Sequence, residues 1–513
     1  MAGLQQLIFL LAVLVGAQCL TIPHQDKQFR FMVGGQFVDE RFKPKVDEKQ
    51  LTVAATATQD WFIQKLDHFD SNNTATWKQQ YWYSADYYKP GGPVFIMLGG
   101  EGPESPRWIT AGTYEWTVLA QAHGAYVFLI EHRFYGKSHP TSDMSVAHLQ
   151  YLSSMQAIED FAYFIQSMRT DKFPQLNSAK WVSFGGSYSG ALSAWLRLKH
   201  PQQIDFAVAT SAPVQAEYDY IEYFEVVMNS IRSTSQSCAD SVQAGFNQIA
   251  QLLKTAQGRN TLKMTFNLCE AIDLNNPQEL ETFWDTVLNP YAGTCQYGGD
   301  NAGLYRTNLN IPNAICRFHN DPTLNTMAKM KAVEDNFNQV NGVTGCNDIN
   351  YNSFITFMKL TLFGSPAQSS RAWTWQTCTE FAYFQSTDSP TAGPFFGGIG
   401  NVNVTYYADQ CTAIYGATYT RDYVQKAVAK TNQFYGGRDN LAGTYIILPN
   451  GSFDPWHALG KLSSSDSTVV PVAITGTAHC ANMYPALDDD LQSLKDARQT
   501  IRSTLSTWLT QSN

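Results

Sequence analysis

The chain has 513 residues, of which 44% are hydrophobic, 13% aromatic and 15% charged, and its formal net charge is −9. That composition supplies a large core in more than one compact unit and excludes a solvating, disordered chain. The acidic balance argues against nucleic acid and anionic membranes as main partners, although ordinary solubility accounts for it as well.

At the N-terminus, "LQQLIFLLAVLVGA" (4–17) is an apolar run too short for a comfortable bilayer span, and it ends in small residues. It reads as a secretory signal within residues 1–19, removed on export. No later stretch is apolar for long enough to cross a bilayer, so no membrane anchor is expected. Residues 20–59 are polar and aperiodic and read as an N-terminal arm or propeptide. Cleavage after Cys19 leaves eight of the nine cysteines, an even number that suits disulfides in an oxidising compartment. None has CxxC spacing, so no zinc site and no other metal is expected. Sequons at Asn72, Asn403 and Asn450 agree with a secreted glycoprotein.

From about residue 60 the pattern changes. "GPVFIMLGG" (92–100) and "AYVFLIEHR" (125–133) are short continuous apolar runs, as expected of strands buried on both faces of a parallel sheet. Helical spacing of Met155, Ile158, Ala162, Ile165 and Met168 follows, then the strand "WVSF", a glycine turn, a helix and the strand "IDFAVATSAP" (204–213). This alternation gives a βαβ sheet in 60–215. The rhythm breaks over 216–365, which holds helical stretches such as "FNQIAQLLKTA" (246–256), a glycine-rich loop near 292–303 and most of the cysteines. That segment is expected to be an inserted, mainly helical, disulfide-linked cap. Two late strands, in "TYIILPNGSFDPW" (444–456) and "STVVPVAITGTAHC" (467–480), and a helix with Leu491, Leu494, Ala497, Ile501, Leu505 and Trp508 on one face complete the sheet in 366–513.

The chemistry centres on "FGGSYSG" (184–190). A strand-to-helix turn forces Ser187 into strained backbone angles and holds its hydroxyl clear of the sheet. Gly185 and Gly190 remove side chains that would collide as strand and helix approach. The Tyr188 amide opens the helix, where a developing oxyanion is stabilised. The match to G-x-S-x-G is imperfect, because Ser189 stands where the second glycine is usual. A serine needs a base and the base an orienting acid, in the order Ser, acid, His on this architecture. Asp454 and His479 each follow a late strand and fill those roles, with His457 as a rival base. A second oxyanion amide is expected from Gly99 or Gly100 in "LGGEGPES" (98–105).

With these residues in view, the chain resembles the serine peptidases that include lysosomal Pro-X carboxypeptidase, dipeptidyl peptidase II and thymus-specific serine protease. The resemblance lies in "QKLDHFD" (64–70) with Trp77 and Tyr81, "GGEGP" (99–103), "EHRFYGKS" (131–138), "YLSSMQAIED" (151–160) and "FGGSYSGALSAWLRLKHP" (184–201). It continues in "QTCTEFAYFQ" (376–385), "NGSFDPWH" (450–457) and "TAHCANMYP" (477–485). The run "SAPVQAEYDYIEYFEVV" (211–227) looks closest to the thymus-specific branch. The resemblance implies an α/β-hydrolase sheet capped by a helical, disulfide-linked domain, with Ser187 as nucleophile, Asp454 as acid and His479 as base. It implies an exopeptidase without cofactor or metal that acts on peptides, often after proline, in lysosomes or the secretory pathway, often as a homodimer.

Other readings compete. A catalytically silent binding protein on this fold would lack a triad member, and an esterase would carry an apolar lid helix instead of a large cysteine-rich insert. The polarity of the exopeptidase stays open. A carboxypeptidase pairs the substrate carboxylate with a cation such as Arg133, Arg371 or Arg438. A dipeptidyl peptidase pairs the amine with an acid such as Glu101, Asp348 or Glu380.

Overall fold

The computed structural model describes residues 54–298 and 308–511, together with the backbone of short strands at 27–28, 32–33 and 36–37. The expected signal, Cys19 and most of the N-terminal arm lie outside the described residues.

The apolar runs form the centre of an eight-stranded sheet. Its strands are β1 (Thr58–Lys65), β2 (Thr76–Ser84), β3 (Val94–Leu98), β4 (Tyr126–Ile130), β5 (Trp181–Gly186), β6 (Phe206–Thr210), β7 (Ile446–Gly451) and β8 (Val469–Ile474). They lie in the order β8-β7-β6-β5-β3-β4-β2-β1. Strands β3 to β8 pair in parallel, whereas β1 and β2 run antiparallel at one edge. The fold is that of an α/β-hydrolase. Sequence reading did not single out β1 and β2. The edge strand β1 is mostly exposed, and its mixed residues lack the continuous apolar signature of the central strands.

Both faces of the sheet are covered, which explains why the central strands are apolar throughout. Val94, Ile96 and Leu98 of β3 point to one layer with α2 (Ser154–Ser167) and α3 (Tyr188–Lys199). Phe95 and Met97 point to the other, with α1 (Glu115–His123) and α11 (Gln492–Thr510). The final helix buries Leu494, Ala497, Ile501, Leu505 and Trp508, while Leu491 precedes its first turn and is exposed.

Between β6 and β7 the chain is mainly helical. It includes α4 (Glu222–Thr234), α5 (Gln236–Leu253), α6 (Pro277–Tyr297), α7 (Thr326–Asn341), α8 (Gln368–Gln376), α9 (Val404–Tyr415) and α10 (Arg421–Tyr435). The expected insertion ends at residue 365, but helices continue to Tyr435 before the sheet resumes at Ile446. The segment 366–435 is rich in buried aromatic residues that pack on the α3 side of the core. The expected glycine-rich loop near 292–303 also differs: α6 runs through Tyr297, and 299–303 lie outside the described residues.

Disulfides join Cys238 to Cys316, Cys269 to Cys346 and Cys378 to Cys411, all within this segment. The expectation of eight paired cysteines is therefore corrected: Cys295 and Cys480 are buried free thiols. The sequons also divide. Asn72 is exposed, and Asn403 is half-buried, its side chain accepting from the Thr405 amide at the start of α9. Asn450 is buried inside β7 and cannot carry a glycan in the folded chain, which corrects that expectation.

Trp508 closes the α11 face against Phe206 and Tyr445, with ring centroids 5.6 Å and 5.4 Å away. Trp508→Ala is expected to lower stability by about 3–5 kcal/mol, read from denaturant unfolding, whereas Thr500→Ala on the exposed side is expected to change it little.

Candidate active site

The strand-to-helix junction between β5 and α3 carries Ser187 at φ 60, ψ −130. That conformation is unfavourable for a residue with a Cβ and persists because the surroundings fix it. Its amide donates to Thr210 O of β6 at 3.0 Å. The flanking glycines act as expected from the sequence. A Cβ on Gly190 would lie 2.5 Å from Thr210 O, and one on Gly185 would lie 2.0 Å from Ser189 O. Ser189 replaces the usual glycine without conflict, because its hydroxyl turns back onto the Gly186 carbonyl at 2.9 Å.

Two loops at the ends of β7 and β8 bring the other polar groups to the same edge. Asp454 is fully buried. One oxygen accepts from the Trp456 amide at 2.9 Å, and the other lies 2.9 Å from His479 Nδ1. The loops are laced together: Phe453 N donates to Thr477 O at 2.9 Å, and Gly476 N to Ser452 Oγ at 2.9 Å. Burial alone would lower the His479 imidazole, but the Asp454 carboxylate, aided by Cys480, overrides it and holds the ring well above its ordinary value. Two further anchors were not visible in the sequence. His479 N donates to Gln296 O of α6 at 2.9 Å, and Cys480 N donates to Ser211 Oγ at 3.0 Å. Gln296 belongs to no motif, and Ser211, although it opens the run 211–227, carries no local sign of this contact, so only the fold brings them here.

Ser187 and His479 line one cavity of about 280 Å³. Its apolar wall is Met97, Leu98, Trp108 and Met483, with Tyr297 and Tyr484 beside them. Glu101 and Glu104 supply carboxyl groups to it. Burial, then the neighbouring Glu131 carboxylate, pushes Glu104 up to about 8.

The remaining expected residues fall as follows. Gly99 is not available to an oxyanion, since its amide extends the β3–β4 ladder by donating to Ile130 O at 2.8 Å. Gly100 lies beside the junction, where a Cβ built on it would sit 3.4 Å from Ser189 Cβ. His457 turns Nδ1 to Asp454 O at 2.6 Å and does not line the cavity. The three arginines considered as carboxylate anchors are engaged elsewhere. Arg133 clamps Asp160 through two 2.6 Å bonds, Arg371 donates to Met144 O and Met358 O, and Arg438 donates to Ala458 O. Asp348 accepts from the Asn350 amide, and Glu380 is buried behind the junction; neither lines the cavity. Among the described residues no group of three metal-ligating side chains occurs, and no helix is long and apolar enough to cross a membrane.

The family model described as "Serine carboxypeptidase S28" matches residues 64–501. A Caenorhabditis elegans protein described as "Putative serine protease K12H4.7" is 53% identical over 509 residues, 98% of this chain and 99% of the relative. The human thymus-specific serine protease is 31% identical over 89% of this chain and 87% of its own length. The human lysosomal Pro-X carboxypeptidase is 25% identical over 88% of each chain.

Glu104 binds its proton more tightly folded, at about 8, than at the ordinary 4.5. Its stabilising contribution is fully present below 4.5 and is lost as pH rises through about 8. Glu380, pushed up to about 7 by burial, acts in the same direction. These two groups pull Tm down between these limits as pH rises, and Glu104→Gln is expected to remove the Glu104 part, read as the difference in Tm between variant and wild type along a pH series. A scanning-calorimetry series in which Glu104→Gln follows the same pH dependence as the wild type would contradict this.

Proposed function

Because the chain belongs to the serine carboxypeptidase S28 family and is a serine-type peptidase, we propose that it is a secreted or lysosomal exopeptidase that cleaves peptides near a chain end, after proline, through Ser187, His479 and Asp454. The observation that carries this reading is the 2.9 Å bond from His479 to buried Asp454, beside a cavity that His479 shares with Ser187. Ser187 Oγ attacks the scissile carbonyl while His479 takes its proton. Asp454 holds the imidazole through Nδ1, so that Nε2 is the basic atom, and stabilises the charge that develops. The Tyr188 amide at the start of α3 receives the oxyanion. The Gly99 amide is committed to Ile130 O, and Tyr188 is the donor we assign. His479 then protonates the leaving amine, and water resolves the acyl-enzyme.

The small, largely apolar wall suits a compact ring such as that of proline. The helical segment reaches the site through Gln296 and Tyr297 of α6, and in this reading it narrows entry to chain ends. The lysosomal address of one relative and the three disulfides support a secretory route, with Asn72 and Asn403 as glycan sites.

Fluorophosphonate is expected to label the wild type, and Ser187→Ala to abolish both labelling and turnover without lowering Tm. Labelling elsewhere would refute the assignment. Asp454→Asn is expected to cut kcat by roughly 10⁴. It should also move the acid limb of kcat/KM to lower pH, because the carboxylate that raises His479 is removed. With proline peptides, blocking one terminus is expected to stop cleavage and blocking the other to leave it. Efficient cleavage with both termini blocked would mean an endopeptidase.

A further inference from the structure

Behind the junction lies a buried polar chain that the triad does not use. Glu380 follows α8 and accepts the amide and hydroxyl of Ser154, the first residue of α2, at 2.8 Å and 2.6 Å. Its other oxygen accepts from Gln376 Nε2 at 3.1 Å. The second hydrogen of that nitrogen points to the Tyr188 hydroxyl oxygen, 2.8 Å away. Gln376 Oε1 accepts from the Tyr135 hydroxyl at 2.7 Å, which pins the amide with its donor side toward Tyr188. The Tyr188 hydroxyl is also 3.0 Å from His132 Nε2. His132 Nδ1 lies 2.7 Å from Arg133 O, which can only accept. The His132 proton therefore sits on Nδ1, and Nε2 accepts from Tyr188. Burial lowers His132 to about 4, so the ring is neutral. No donor in this chain faces another donor, and Tyr188, Gln376, His132 and Glu380 are all buried.

The same Tyr188 supplies the amide next to Ser187. The Ser187–Tyr188 peptide plane hangs on the strained torsions of Ser187 and needs support from its neighbour. The Tyr188 ring gives it. The ring packs against Trp373 and Phe381, with centroids 5.3 Å and 5.5 Å away, and its far end is held by two hydrogen bonds.

We propose that Gln376, backed by Glu380 and His132, is a positioning residue: it clamps the Tyr188 hydroxyl so that the Tyr188 amide stays aimed at the forming oxyanion. This rests on the reading of Ser187 as nucleophile. It makes part of the helical segment a determinant of the chemical step, in addition to any role in access.

The test uses the full chain and two variants, Tyr188→Phe, which keeps the ring, and Gln376→Met, which keeps the volume. Each is quantified by fluorophosphonate labelling, then assayed on a proline peptide with free ends that the wild type cleaves. Affinity is measured for the product peptide and for a peptidyl trifluoromethyl ketone, whose serine adduct bears an oxyanion. The expected result is a kcat per labelled serine lower by roughly tenfold with KM nearly unchanged, part of the 10²–10³ lost when such a donor is removed outright. Ketone affinity should fall by the same factor, and product affinity should hold. A lower Tm or labelled fraction with normal kcat per labelled serine and normal ketone affinity would reduce the clamp to a structural role and overturn the proposal. If one variant does not fold, the other reads the same clamp from its opposite end. A wild type that does not label at Ser187 would instead remove the nucleophile reading on which the clamp depends.

Discussion

The arrangement rests on one close approach. α3 can lie against β6 only because Gly190 presents no side chain to Thr210 O, where a Cβ would sit 2.5 Å away. The amide of Ser187 donates to that same carbonyl. This contact fixes where α3 begins and so forces Ser187 into its left-handed conformation. The cost of that backbone is borne by packing on both sides of the sheet. β7 then pairs with β6, and β8 with β7, so the loops carrying Asp454 and His479 inherit their positions from the strand that Gly190 touches.

Much of this was legible in the sequence, for physical reasons. Strands buried on both faces announce themselves as unbroken apolar runs, and β3 to β6 did. A glycine-fenced serine between a strand and a helix has few other uses, and Asp454 and His479 sit where strand ends predict. What escaped reading depends on partners distant in sequence. β1 is an edge strand whose residues answer to solvent, and β2 beside it is buried yet carries glutamines and serine among its aromatic residues, so neither reads as an apolar run. The commitment of the Gly99 amide to Ile130 O depends on strand register, which no local motif encodes. Asn450 satisfies the glycosylation triplet, yet it belongs to a buried strand. The even count of cysteines suggested complete pairing, but Cys295 and Cys480 stay free.

Charge placement narrows what the site can hold. The three arginines weighed as carboxylate anchors are spent in the framework: Arg133 against Asp160, Arg371 and Arg438 against backbone carbonyls. Glu101 and Glu104 face the cavity, and the Glu104 carboxyl keeps its proton to about 8 under burial and the pressure of Glu131. The wall beside Ser187 is thus itself a titrating element.

The interruption between β6 and β7 also shapes how the chain must be made. On a ribosome, Thr210 emerges long before Ile446, the first residue of the strand that pairs with β6. At about 5–20 residues per second that interval lasts tens of seconds. During it, the apolar strand Phe206–Thr210 has a bare edge, the kind of template on which neighbouring nascent chains pair wrongly. The intervening helices and their three crosslinks can organise in the meantime, but they cannot cover that edge with a strand. The sheet therefore stays unfinished until its last two strands arrive.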